Sequence, residues 1–403
     1  MSVMPDTEVA VRPPAATAAA SDWLEHSGTF ALFGVAATVQ FSIAIAQALL
    51  AIAFVCWAAL VVIRRERVEV PRFFWGLLAF AGATLISVSF SDQPRVSLSD
   101  SKQLVLLLIV PVAYRFVTAS RAGTLVTVLV TCGAASAVLG IVQYGILHYD
   151  QLSTRPRGSL GHYMTYSGLL MLVMCIALAR VLFANRDRAW PAVVMPAIAV
   201  AVALSSTRSA WVGLLVGAAL LFILKDFRLV AILPIVAAAF FAAAPSMITA
   251  RFMSMFDMND PTIRDRAAML RIGERMVRAH PLTGVGPNMV PVHYAEYRDD
   301  RAVEKVNPHL HNVPLQIAAE RGIPSLLAWI AFLAAAVLDL TRRFRAGQQR
   351  PLAAAALAAI AAMLTAGLFE YNFGDSEFLM LFLLLVTLPF AAHRSPPAPH
   401  PVA

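Results

Sequence analysis

The chain has 403 residues, 59% of them hydrophobic and only 14% charged, with a mean hydropathy of +0.70. Those proportions exclude a soluble globular protein and imply a polytopic membrane protein. The formal net charge of +8 is split between short loops beside apolar runs and one long polar segment. That distribution suits lipid headgroups and anionic substrates and argues against nucleic acid as a partner.

Residues 1–28 are rich in Ala, Pro and Thr, carry Asp6 and Glu8, and lack the apolar core of a cleavable signal; they read as a disordered tail. About twelve apolar runs follow that approach the roughly 20 residues a spanning helix needs. They cover 30–45, 47–63, 73–90, 104–116, 125–147, 163–182, 190–204, 211–224, 229–247, 323–338, 352–369 and 378–392. The stretch 30–63 is too long for one upright helix and short for two, so the first pair has the loosest boundaries. Cys56, Cys132 and Cys175 all fall inside apolar runs and read as packing residues rather than a disulfide or zinc framework.

Every second loop is basic: Arg64, Arg65, Arg67 and Arg72; Arg115 and Arg121; Arg180, Arg186 and Arg188; Lys225 and Arg228; Arg342, Arg343, Arg345 and Arg350. The positive-inside rule makes those loops and both termini cytoplasmic, and places the loops 91–102, 148–162, 205–210, 248–312 and 373–377 outside. The expected organisation is a tail (1–28), nine spans (29–247), a large outside loop (248–312), three further spans (313–392) and a second tail (393–403). No internal repeat and no matched pair of broken helices appears, which argues against a secondary transporter.

The loop 248–312 carries Arg251, Arg264, Arg266, Arg271, Arg275, Arg278, Arg298 and Arg301 on the side where basic residues are usually sparse, so an anion is expected there. At helical spacing over 263–279, Arg264, Arg271, Arg275 and Arg278 form one stripe, a headgroup or solvent face. Arg266 falls instead among Met269, Leu270, Gly273, Met276 and Val277 on the apolar face. A guanidinium there needs a phosphate or a structural partner such as Asp265 or Glu274. Residues 280–287, rich in Gly and Pro, read as a tight turn. Downstream of His309, Asn312 is a helix N-cap with Pro314 in the first turn, and His311 sits just outside the positive end of that helix, which disfavours imidazolium. Asn312, Gln316 and Glu320 form a polar stripe that ends at Gly322 and Pro324. Arg155, Arg157 and Arg208 lie near the ends of apolar runs, where the plain alternative is snorkelling to the surface. The carboxylates of 257–260 and of Asp299 and Asp300 read as turn chemistry, and no metal is expected.

Thr207-Arg208-Ser209, Arg266 some fifteen positions before Pro281-Leu282-Thr283-Gly284-Val285-Gly286, and His311-Asn312 with nine residues before Gly322 resemble the O-antigen ligase and polymerase superfamily of bacterial envelope glycosyltransferases. The His-Asn spacing, the single large loop and the compact length are most similar to the ligases. Ser325 and Leu270 depart from the ligase pattern and leave ligase against polymerase open.

The resemblance implies an all-α, C-type glycosyltransferase-like architecture in the bacterial inner membrane, with the site facing the periplasm and no cofactor. The donor would be a glycan on undecaprenyl pyrophosphate and the acceptor the lipid A core oligosaccharide, transferred with inversion. Arg208 and Arg266 are expected on the pyrophosphate and His311 as the base, with Glu370 or Asp375 as replacement bases. Arg155, Arg157, Asn312, His309, Arg271 and Arg275 are expected to contact substrate. A polymerase, a protein O-oligosaccharyltransferase and a lipid-linked oligosaccharide flippase are the competing expectations.

Overall fold

Backbone polar groups inside hydrocarbon must be satisfied within their own segment, and apolar runs meet that demand as helices. The computed structural model describes residues 15–394 apart from Met258 and Arg301, so the expectations for the outermost tails and for Arg301 lie outside the described residues. The helices are α1 (Ala15–Thr38), α2 (Ile43–Ile63), α3 (Phe74–Ser89), α4 (Pro94–Ser101), α5 (Ile109–Phe116), α6 (Ala119–Gly145), α7 (Tyr163–Phe183) and α8 (Ala189–Leu204). They continue as α9 (Arg208–Lys225), α10 (Ile232–Ala243), α11 (Ser246–Met253), α12 (Pro261–Ala279), α13 (Val290–Tyr297), α14 (Val313–Arg345), α15 (Arg350–Ala366) and α16 (Ser376–Ala391). Among the described residues there is no strand, only an isolated bridge between Gln151 and Thr154. Six stretches are long and apolar enough to cross a membrane: α2, Pro94–Phe116, α6, α7, α9 and α14. Five shorter apolar helices accompany them: α3, α8, Phe227–Phe240, α15 and α16.

The expected disorder of 1–28 is corrected from Ala15 onward. An Ala-rich start with high helix propensity extends the first helix back to Ala15. The chain breaks at 39–42, where Ser42 caps α2 through its Oγ. The loose first pair thus becomes two helices of 24 and 21 residues. Glu25 of α1 is held by Arg115 at 2.8 Å, Arg64 at 3.4 Å and Arg121 at 3.5 Å, and Arg115 also grips Glu66 at 2.6 Å. This ionic cluster gathers the first two basic loops at one end of the bundle.

The expected outside loops meet one another elsewhere. Ser159 Oγ donates to the Phe41 carbonyl beside the opposite end of α2, Ser97 to the Pro287 carbonyl and Thr165 to Asp375. Between these ends, α7 and α16 are buried along most of their length. Gly213 and Gly217 of α9 lie so close to α15 that a Cβ would stand 2.8 Å from the Ala362 carbonyl and 3.3 Å from that of Ala358. Small residues on both helices permit that approach.

The long loop has a core of its own. Ala268, Met269, Ile272 and Met276 of α12 pack with Val285, Met289, Tyr294, Leu310 and Ala319. This core seats α12 against the first turns of α14. At Gly322, where φ is +79°, α14 is interrupted, and a Cβ there would sit 2.2 Å from the Leu282 carbonyl. The turn foreseen at 280–287 fills the gap. Val285 and Gly286 donate to the Ala319 and Glu320 carbonyls at 2.9 Å, and Ile323 donates to Pro281 at 2.8 Å.

Candidate active site

Asn312 caps α14, its Oδ1 accepting from Leu315 N–H at 2.9 Å while its Nδ2 donates to the Leu368 carbonyl at 3.2 Å. Both ends of this amide serve the fold. The residue before it, His311, adopts φ +49°, a left-handed conformation that a non-glycine residue holds only when its surroundings enforce it.

That conformation brings His311 Nδ1 to 3.0 and 3.1 Å from the two carboxylate oxygens of Glu370, which lies beyond the end of α15. Burial alone would push the Glu370 carboxyl up, but His311, His309 and Arg266 together hold it below its ordinary value. An ionised carboxylate only accepts hydrogen bonds. Nδ1 therefore carries a proton, and in the neutral imidazole the acceptor is Nε2. The helix dipole was the expected influence on this ring; the carboxylate is the closer one.

Arg266 lies 4.0 Å from Glu370. The two partners anticipated for it are engaged elsewhere: Asp265 accepts from Glu304 N–H and Asn307 Nδ2, and Glu274 pairs with Arg278. Burial pulls the Arg266 guanidinium below its ordinary pKa, and Arg208 adds to that while Glu370 opposes it. Arg208, the first residue of α9, donates to the Ser254 carbonyl and hydroxyl at 3.3 and 3.1 Å and stands 3.7 Å from Asp260, the N-cap of α12.

Arg208, Arg266 and His311 line one cavity of about 350 Å³, whose remaining wall is largely apolar: Val212, Met255, Ile263, Leu270, Leu310, Leu368 and Phe369. Arg251 belongs to the same electrostatic neighbourhood. Burial, Arg208 and Arg155 push it down to about 10, and its Nε finds no hydrogen-bond partner among the described residues. Sequence reasoning counted Arg251 among the loop cations without giving it a role.

A second cavity of about 350 Å³ includes Asp100, Gln103, His162, Thr165, Asn288, His309, Gln316, Glu320, Glu370, Tyr371 and Asp375 in its lining. His309 belongs here rather than beside the arginines. Its ring meets that of His311 edge-on with centroids 4.1 Å apart, and burial and His311 push its pKa down to about 4.

The other expected contacts are distributed differently. Arg155 lies over the Tyr163 ring at 4.1 Å and donates to the Leu152 carbonyl, while burial and Arg208 lower its pKa. Arg157 is exposed, and its backbone N–H donates to Gln143. Arg271 and Arg275 line neither cavity; they hold Asp299 at 2.8 and 3.8 Å, which makes them braces of the loop. His309, His311 and Glu370 offer ligand atoms within 4.8 Å of one another, a donor set that suits a transition metal, but Arg266 beside the same carboxylate opposes a second cation.

Residues 192–330 match the family model described as O-antigen ligase. Over that segment the chain is similar to the O-antigen ligase family. The matched part runs from α8 into α14 and contains Arg208, Arg266 and His311, whereas Glu370 lies beyond it. The family covers O-antigen ligases and related polymerases, glycosyltransferase-like membrane enzymes that act on lipid-linked glycans. No curated protein matches the chain.

Proposed function

We propose that this protein is an O-antigen ligase that transfers polysaccharide from undecaprenyl pyrophosphate to the lipid A core oligosaccharide at the periplasmic face of the bacterial inner membrane. The carrying observation is the convergence of Arg208, Arg266 and His311 on one cavity, with Glu370 behind the imidazole. Pyrophosphate departs as a stable anion, so the reaction needs cations on the leaving group more than it needs a general acid. Arg208 and Arg266 bind that charge, and Arg155 supports it. The acceptor hydroxyl oxygen attacks the anomeric carbon from the face opposite the pyrophosphate and inverts it. Its proton passes to His311 Nε2, and the electron pair of the broken C–O bond leaves on the phosphate oxygen. Glu370 orients the ring and stabilises the imidazolium that forms. No step requires a metal. The apolar wall formed by Val212, Met255, Leu270, Leu368 and Phe369 suits the isoprenoid of the donor, which cannot leave hydrocarbon cheaply.

Reconstitution with purified undecaprenyl-linked glycan and lipid A core, in EDTA, tests this reading. Glycan-bearing lipid A is the expected product, and its formation should fall roughly a thousandfold with His311→Ala. Growth of the lipid-linked glycan without transfer to lipid A would instead identify a polymerase, and loss of transfer in EDTA would overturn the metal-free mechanism.

A further inference from the structure

The two cavities that meet at His309, His311 and Glu370 differ in charge. Among the described residues the first has two arginines and no carboxylate in its lining. In the second, Asp100, Glu320, Glu370 and Asp375 face the space, and no Arg or Lys lines it among the described residues. Part of that negative charge is neutralised from behind. Arg321 lies 3.2 Å from Glu320 and 3.4 Å from Asp100, and Glu370 is shared with His311 and Arg266. Among the described residues Asp375 has no such cation; it accepts from Thr165 Oγ1 at 2.7 Å.

The same wall presents neutral groups suited to hydroxyls: Gln103, Thr165, Asn288 and Gln316. His309 Nδ1, though buried, has no hydrogen-bond partner among the described residues. Asp100, Gln103 and Gly374 also line a larger cavity of about 460 Å³ that reaches the apolar face of α2 at Leu50, Ala51 and Phe54.

We infer that the carboxylate-lined cavity is the subsite for the acceptor's terminal sugar, and that it selects an uncharged, hydroxyl-rich residue over one bearing phosphate or carboxylate. The inference rests on the reading of His311 as the base of a glycosyl transfer. Carboxylates and amides bind sugar hydroxyls well, whereas an added anion would meet like charges in a partly desolvated space. The filter also works against misplacement, because a lipid pyrophosphate entering on this side finds no guanidinium in the lining. The acceptor's hydroxyl approaches His311 past the edge of His309, while the groove toward α2 offers its lipid anchor a place on the side away from the donor.

The test uses the purified full-length protein, an undecaprenyl-linked glycan donor and two lipid A core acceptors identical except for a phosphate on the terminal hexose. The unphosphorylated acceptor should be used with kcat/KM about tenfold higher or more, a ratio expected for one like-charge contact at reduced dielectric. Asp100→Asn should shrink that ratio severalfold, and Asn288→Asp, which adds a carboxylate at a loop position already tolerant of φ +57°, should enlarge it. Equal use of both acceptors by the wild type, or a ratio unmoved by both substitutions, overturns the inference. If neither acceptor is used while a lipid-linked glycan is extended, the ligase reading fails by itself. The same ratio is then taken with lipid-linked glycans ending in a hexose or a hexuronate, and a ratio near one again rejects the charge filter.

Discussion

Two cavities of equal volume, separated by a histidine pair and one carboxylate, have opposite electrostatic characters. On the arginine side a guanidinium, Arg251, is pushed down to about 10 by burial and its cationic neighbours. On the other side Asp375 is pushed up to about 7 by burial, with Glu377 and Glu370 adding to the rise and Thr165 opposing it. Among the described residues the first lining holds no carboxylate and the second no Arg or Lys, which is what an anionic leaving group and a neutral nucleophile would require of their respective sites. On the proposed reading, the contrast sorts two lipid-anchored substrates by charge before any sugar-specific contact is made.

Removing the group between the sides should have the largest effect. His311→Ala is expected to lower transfer roughly a thousandfold, the range of a lost general base, with helix content by circular dichroism unchanged. Next come the arginines: Arg208→Ala or Arg266→Ala should each reduce kcat about a hundredfold through lost stabilisation of the departing pyrophosphate, while the preference between acceptors stays as in the wild type. A change in acceptor preference instead would show that the two sides are not separate.

The joint beneath both cavities can be tested through Gly322→Ala. The substitution puts a Cβ at φ +79° against the Leu282 carbonyl and should cost at least about 2 kcal/mol, read as a lowered unfolding temperature in detergent. Acidity gives a finer test. Asp375 is neutral below about pH 7 and charged above it, so discrimination against a phosphorylated acceptor should increase a few-fold between roughly pH 6 and 8, and Asp375→Asn should flatten that rise. The smallest effect is expected for Arg275→Ala, within about threefold of wild-type transfer, because its contacts are an exposed brace to Asp299 and the Tyr297 carbonyl.

Much of this was legible in the sequence because it depends on local pattern. The apolar runs mark the helices, and Arg266 stands out because it interrupts an apolar helical face. Asn312 followed by Pro314 announces a helix start with His311 before it. Other features depend on contacts between distant segments. Glu370 lies 59 positions from His311 and was foreseen only as a substitute base, not as its partner. Arg271 and Arg275 share their stripe with solvent-facing arginines, and nothing local tells that Asp299, 28 positions after Arg271, will take them. The carboxylate-lined cavity is assembled from separate stretches around Asp100, Glu320, Glu370 and Asp375, so no window of sequence displays it. The start of α1 was missed because its polar residues read as a tail until Arg64, Arg115 and Arg121 supply their partners.

The turn at Pro281–Gly286 splints the interrupted helix, and the splint restricts traffic. Swinging the loop away like a hinged lid would strip Val285, Gly286 and Ile323 of their carbonyl partners, leaving three backbone amides bare. With that roof fixed, the lipid-tethered glycans of the proposed reaction would have to enter and leave from the sides.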